Sequence, residues 1–233
     1  MTEAIDRSTT RPGTTGPAWR APVLVRWPSV LAVAGTCLGW AAVFALSRDA
    51  GTGHVHHLLM TSSMSVAMMS PLAIPVCVSA GRSSLWCTSS RCIAAAYGAF
   101  IGAWIAAGAV LHVVTEVAVR IAPAEAVAVV LATWCALDVM SRRRSVRLSA
   151  CAVSRPLFPG SAGVRAVDLG AVAASRCVST CWAPMALAVA QPTLGVPVAV
   201  VIVSERVLAP RNRWSIAVAF CAMTAWIVVA NWR

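Results

Sequence analysis

Long apolar stretches separated by short polar segments follow one another from residue 28 to the end of the chain. Each stretch is close to the roughly 20 residues that an α-helix needs to cross the hydrocarbon core of a bilayer. We predict seven spans, at residues 28–47, 58–80, 93–114, 122–140, 167–190, 193–209 and 214–231. Because only Gln191 and Pro192 separate the fifth and sixth stretches, a re-entrant pair, and hence six spans, is the alternative.

Composition supports the same fold class. The 233 residues are 59% hydrophobic and 12% charged, with a mean hydropathy of +0.76, whereas soluble domains have about 25% charged residues. We therefore expect an all-α, polytopic transmembrane helix bundle at residues 28–233. The preceding polar segment, residues 1–27, is rich in Thr, Pro, Gly and Arg and predicts a disordered tail.

The distribution of arginine predicts the topology. The formal net charge is +11, and all 19 basic residues are Arg. Fifteen of them lie in the N-terminal tail and in the second, fourth and sixth loops. Cytoplasmic loops are enriched in Lys and Arg, so we expect a cytoplasmic N-terminus. The absence of Lys together with many Ala and Val is typical of a GC-rich bacterial genome, so we expect a multi-pass protein of the bacterial inner membrane. Because the Arg residues cluster in loops between spans, we expect no nucleic-acid partner.

Sulfur side chains recur at four-residue intervals in the second and fifth predicted spans. The two sets are Met60, Met64 and Met68, and Cys177, Cys181 and Met185. On a helix, three residues at this spacing fall on one face within about 80°. Thiolates and thioethers are soft donors that prefer Cu(I), and His54, His56 and His57 precede the first set. The pattern predicts histidines that capture an ion, a methionine relay and a principal site on the second set.

Packing is the competing interpretation of the same residues. Met is a flexible apolar filler, and Cys often behaves as a small buried hydrophobe. Arg176, near the middle of the fifth span, needs a partner because an arginine at the bilayer centre costs about 2.5–3.5 kcal/mol. We expect Glu205 to supply it, and the pair to tune the sulfur site as a second shell. The alternative is that Glu205 marks the end of its span while Arg176 extends to the interface.

Soluble-enzyme chemistry is not indicated. The sequence has no Gly-rich phosphate loop, no hydrolytic carboxylate pair, no Cys-x-x-Cys motif and no helical histidine pair of metalloprotease type. Asp138, Asp168, Glu116 and Glu125 lie near predicted span ends, where we expect them to be solvated. We therefore expect a protein that is not an enzyme.

Two segments resemble a bacterial family described as predicted metal-binding integral membrane proteins, domain of unknown function 2182. Residues 64–71 (MSVAMMSP) resemble the family's Met-x-x-Ala-Met-Met-x-Pro motif, and residues 177–185 (CVSTCWAPM) resemble its Cys-x-x-Cys-Cys-Trp-x-x-Met helix. Glu205-Arg206 matches a later acidic-basic pair, and Cys151 with Arg155-Pro156 loosely matches a Cys-rich loop. The chain departs from the family at Thr180, where the motif has Cys, so one soft ligand is missing.

The resemblance implies metal handling, with copper the usual ion. Together with the sulfur pattern it predicts a membrane protein that binds Cu(I) between the second and fifth spans, for copper delivery or passage across the bilayer. Its expected partners are the lipid bilayer and a cuproenzyme or copper-carrier protein. Two alternatives remain: a secondary transporter of a non-metal solute that uses Arg176 and Glu205, and a non-catalytic membrane scaffold.

Overall fold

The computed structural model describes residues 20–48, 53–84, 88–141, 143–144, 160–208 and 213–231, and at residues 20–26, 206–208 and 231 it describes the backbone alone. Every regular element in these ranges is helical, and they contain no strand. The α-helices are α1 (Arg20–Arg48), α2 (His54–Met69), α3 (Ile74–Arg82), α4 (Ser89–Ile121), α5 (Ala124–Met140), α6 (Ala162–Ala190), α7 (Gly195–Leu208) and α8 (Arg213–Asn231). Short 3₁₀ turns at Pro71–Ala73 and Pro192–Leu194 lead into α3 and α7. The all-α prediction is confirmed.

Four helical segments are long and apolar enough to cross a membrane: Trp27–Arg48, Ser89–Ile121, Ala162–Ala190 and Arg213–Ala230. A fifth span results if the bent pair α2 and α3 counts as one. The remaining two predicted spans correspond to shorter helices, since α5 has 17 residues and α7 has 14. A protein that spans a membrane is therefore supported, and the seven-span count stays a prediction.

Pro71 interrupts the helix of the second predicted span. Pro71 has no backbone N–H and cannot continue the hydrogen-bond ladder of α2, so the chain passes through a 3₁₀ turn and bends by 47° into α3. Ser70 stabilises the break, because its hydroxyl donates to the Val66 carbonyl at 2.6 Å and lies 2.7 Å from the Tyr97 hydroxyl on α4. The bend is thus anchored to a neighbouring helix.

Small residues allow the helices to approach closely. The largest interface joins α4 and α6, and at its centre Gly170 lies against the backbone carbonyl of Ala96. Gly39 of α1 lies in the same way against the backbone of Ala67 on α2. Small residues at such positions are typical of helix packing in membranes, where dispersion contacts replace the hydrophobic effect.

Several sequence predictions fall outside the described residues. These are most of the N-terminal tail, residues 1–19, and the loop residues Cys151, Arg155 and Pro156 that contribute to the family resemblance. The helix α1 begins at Arg20, earlier than the predicted span start at residue 28.

Candidate functional site

The predicted principal site lies on one buried face of α6. Cys177 is 4% exposed, and Cys181 and Met185 are 0% exposed. On the opposite face Ser179 is exposed and Trp182 is 38% exposed. The sulfur atoms therefore point into the protein and not toward the surrounding lipid, as both a ligand role and a packing role require.

The methionine set on α2 is also largely interior. Met64 and Met68 are 2% and 1% exposed, and Met60 is half-buried. The terminal methyl of Met64 lies 3.0 Å from where a Cβ on Gly195 would be, so α7 begins directly against this side chain. Met68 lines a groove that also includes Trp40 and Val203.

The two sulfur sets lie on helices with different main partners. Helix α2 packs mainly on α1 and α4, and α6 packs mainly on α4 and α5. Among the described residues α4 packs against both sulfur-bearing helices, which share no extensive interface. A single ion held jointly by the two sets therefore stays a prediction.

A buried arginine joins three parts of the chain beside the α6 site. The Arg144 side chain is 2% exposed and makes a two-point contact with Glu205 of α7. Its Nε donates to Oε1 and its Nη2 donates to Oε2, both at 2.7 Å. Its Nη1 donates to Asp138 Oδ2 at 2.6 Å and to the Thr180 carbonyl at 3.1 Å. A guanidinium fork that binds both oxygens of a carboxylate is a strong, directional ion pair.

Pro184 leaves the Thr180 carbonyl free to accept a hydrogen bond from Arg144. In a helix the carbonyl of Thr180 would accept from the backbone N–H four residues later, but that residue is Pro184, which has none. Arg144 supplies the missing donor. The proline in the second sulfur motif therefore creates the acceptor that fixes a buried cation next to Cys181.

Charge on Arg144 is secure in this setting. Burial by itself lowers the pKa of Arg144, but the hydrogen bonds and negative charge of Glu205, with Asp138, outweigh burial and hold the pKa above its usual value. Arginine is in any case effectively always protonated in proteins. A permanent positive charge therefore lies in the protein interior, 3.1 Å from the carbonyl of Thr180, the residue before Cys181.

This arrangement corrects the expected partner of Glu205. The sequence predicts Arg176 as the partner of Glu205, but both carboxylate oxygens accept from Arg144. Arg176 lies half-buried on α6, and its backbone carbonyl accepts from the hydroxyls of Ser179 and Thr180. Asp138, expected to be solvated, is instead an ion-pair partner with a side chain only 17% exposed.

Thr180, which stands where the family motif has Cys, turns its hydroxyl toward its own helix. The hydroxyl donates to the Cys177 carbonyl at 2.8 Å and lies 3.6 Å from the sulfur of Cys181. A hydroxyl committed to the backbone is a poor ligand for a soft ion. The sulfur donors at this site are therefore Cys177, Cys181 and Met185.

All four histidines of the chain meet at the end of the bundle where α2 begins and α4 ends. The His54 and His112 ring centroids are 5.4 Å apart, and His57 stacks on His112 at 6.1 Å with an interplanar angle of 21°. His56 contacts His57 edge to face at 5.8 Å. Two of the predicted capture residues, His54 and His57, thus contact His112, which the sequence pattern did not indicate.

Glu116 completes this cluster. It lies one helical turn after His112, and its Oε2 is 3.6 Å from His54 Nδ1 and 4.0 Å from His112 Nε2. Its other oxygen, Oε1, accepts from Arg120 at 2.7 Å. One ligand atom each from His54, His112 and Glu116 lie within 4.8 Å of one another, which is close enough to hold a metal ion. The i, i+4 spacing of His112 and Glu116 is the signal that could have identified the pair from sequence.

Comparisons with known proteins add no assignment: no protein-family model, no curated protein and no solved structure matches this chain. The resemblance to the metal-binding membrane family accordingly stays a prediction based on the two motifs.

Proposed function

We propose that this chain is a multi-pass protein of the bacterial inner membrane that binds a soft metal ion, Cu(I), for delivery to a cuproenzyme or copper carrier or for passage across the bilayer. Counting the bent pair α2 and α3 as one, the eight helices provide seven spans, with the N-terminus in the cytoplasm. The resemblance to the predicted metal-binding membrane family is part of this proposal.

The observation that carries the proposal is the burial of all three α6 donors, Cys177, Cys181 and Met185, at 0–4% exposure on one face. Two thiolates one helical turn apart can bind Cu(I) in a nearly linear geometry, and a thioether one turn further can add a third soft ligand. The permanent cation of Arg144 lies beside this face, where its Nη1 donates to the carbonyl of Thr180, the residue before Cys181, at 3.1 Å.

The other predicted residues take roles around this site. Met60, Met64 and Met68 form a relay along α2, and His54, His56 and His57 act in capture at its start. Glu205 does not bind the ion itself. It supports the site through Arg144, which it holds against the Thr180 carbonyl. Arg176 is proposed to support the site as well, because its carbonyl accepts from the hydroxyl of Thr180, the residue before Cys181.

Elemental analysis of the purified full-length protein tests the proposal. After loading with Cu(I) under reducing conditions, the wild type should retain close to one equivalent of copper, and Cys177→Ser with Cys181→Ser should lose it. The matched control is Cys37→Ser with Cys221→Ser, which removes two exposed thiols on α1 and α8. Equal copper in the wild type and in the Cys177/Cys181 variant would contradict the proposal. It would mean that these cysteines only pack, as the scaffold alternative holds.

The buried Arg144–Glu205 ion pair favours one second candidate, a secondary transporter of a non-metal solute. Ionisable residues inside membrane proteins commonly mark substrate or proton paths. This candidate predicts that Glu205→Gln abolishes solute uptake by vesicles while bound copper is unchanged. The copper proposal predicts instead that the Cys177/Cys181 variant loses more bound copper than Glu205→Gln does.

A further inference from the structure

The histidine cluster has the donor chemistry of a different metal site from the sulfur face of α6. Its ligand atoms are two imidazole nitrogens and one carboxylate oxygen, from His54, His112 and Glu116. Two histidines and a glutamate are a known three-ligand set for zinc, with a fourth position left to water. Soft Cu(I) prefers sulfur, and Ca²⁺ and Mg²⁺ prefer oxygen alone.

The spacing of the donors fits an ion better than it fits direct contacts. Glu116 Oε2 is 3.6 Å from His54 Nδ1 and 4.0 Å from His112 Nε2, both beyond the usual hydrogen-bond range of about 2.7–3.2 Å. Two ligands at about 2.1 Å from a tetrahedral zinc ion are about 3.4 Å apart. The two distances from Glu116 exceed this spacing by 0.2 and 0.6 Å, and no pair of the three ligand atoms is more than 4.8 Å apart. Side-chain movements of up to about 1.4 Å would therefore bring all three atoms onto one ion.

The burial of His112 is unfavourable if the cluster holds no ion. Its side chain is only 12% exposed, and its Nε2 is buried and has no hydrogen-bond partner within the described part of the chain. A buried polar atom without a partner costs about 1–3 kcal/mol. The unpartnered nitrogen faces the oxygen of Glu116 that Arg120 leaves free, so a metal ion between them would remove this cost.

The surrounding charges position the glutamate. Arg120 binds Oε1 at 2.7 Å and so turns Oε2 toward both histidines. Residues 112 and 116 lie more than one turn before the end of α4 at Ile121, beyond the reach of its helix dipole, and the start of α2 at His54 is weakly unfavourable for a cation. The carboxylate is the charge that compensates a divalent ion here.

We propose that His54, His112 and Glu116 form a site for a borderline divalent transition-metal ion, Zn²⁺ or Cu²⁺, at the end of the bundle where α2 begins. The site ties the first turn of α2 to the end of α4, and its fourth position is open to water or to His57. It uses no sulfur ligand and stands whether or not the α6 face binds Cu(I).

Zinc titration of the full-length protein in detergent, after removal of metal by a chelator, tests this site. The wild type should bind one Zn²⁺ at the cluster, and bound Zn²⁺ should raise the unfolding temperature because it binds only the folded chain. His54→Ala and His112→Gln should each weaken Zn²⁺ binding by about 10-fold or more. Substituting Co²⁺ should give the intense visible absorption of a four-coordinate site, lost in the same variants.

Two controls separate the outcomes. His56→Ala removes a neighbouring histidine that is outside the three-ligand group and should bind Zn²⁺ as the wild type does. Cys177→Ser with Cys181→Ser should also retain it, so failure of the sulfur site leaves this result intact. Because His54 is exposed, its substitution should not affect folding, and equal Zn²⁺ affinity in His54→Ala and His56→Ala would overturn the proposal.

Discussion

Arg144 occupies both carboxylate oxygens of Glu205, and this contact joins the segment that follows α5 to α7. The two residues are far apart in sequence, yet their side chains are 2% and 8% exposed. A buried ion pair is stable only when its remaining donors and acceptors are also satisfied. Asp138 and the Thr180 carbonyl satisfy Arg144, so four segments of the chain depend on one guanidinium.

Removing this guanidinium should destabilise the fold strongly. Arg144→Ala leaves the Glu205 carboxylate buried without its cation and the Thr180 carbonyl without a donor, and we expect a loss of about 3–5 kcal/mol in the free energy of unfolding. The measurement is denaturant-induced unfolding in mixed micelles. Arg143→Ala is the matched control, because the adjacent arginine is exposed and should change stability by less than about 0.5 kcal/mol. Similar losses in both variants would contradict a structural role specific to Arg144.

The close contact of α4 and α6 makes a second stability prediction. A methyl group at Gly170 would overlap the carbonyl oxygen of Ala96 and would lie 3.0 Å from the side chain of Ala99. Because backbone cannot move aside cheaply, Gly170→Ala should cost about 1–3 kcal/mol. A Cβ at Gly163 on the same helix would meet no described atom within 4 Å. Gly163→Ala should therefore leave the free energy of unfolding unchanged or raise it by up to about 1 kcal/mol. The comparison fails if thermal unfolding in detergent gives both variants the same midpoint.

The periodicity of the sequence predicts the helices and the inward faces of the sulfur residues well, because hydrophobic pattern and proline position act locally. Pro71 ends α2, and the α6 cysteines face the protein interior. The ion pair could not be predicted in this way. Arg144 is the last of three consecutive arginines, and no local signal tells which of them is buried. A position within a predicted span favours Arg176, whereas the partner of Glu205 lies in the segment that follows α5.

The candidate histidine site shows the same limit. His54, His56 and His57 are adjacent in sequence, but His112 and Glu116 come from another helix that packing brings alongside. Glu116 was predicted to be solvated because it lies near a span end, and it is indeed partly exposed. What sequence position could not show is that its free oxygen faces two imidazoles.

Zinc binding at this cluster should weaken in acid. Imidazole binds metal only in its neutral form, and histidine gains its proton between about pH 8 and pH 5. With two histidine ligands, lowering the pH from about 7.5 to about 5.5 should reduce Zn²⁺ affinity by roughly 10- to 100-fold. Competition with a zinc chelator of known pH dependence measures this change. His54→Ala, with one imidazole ligand fewer, should show a shallower dependence, and a pH-independent wild-type affinity would exclude histidine ligation.

Substitution of Glu116 separates metal binding from stability. Glu116→Gln keeps the side-chain shape but removes the negative charge, so Zn²⁺ affinity should fall by roughly 10- to 100-fold. The variant also breaks the ion pair with Arg120, but that arginine is 74% exposed, and exposed pairs contribute at most about 1 kcal/mol. Stability without metal should therefore change little. The matched control is Glu125→Gln, an exposed glutamate in the first turn of α5 that has no place in the cluster. If Glu116→Gln and Glu125→Gln bind Zn²⁺ equally well, the carboxylate is not a ligand and the site reduces to histidines alone.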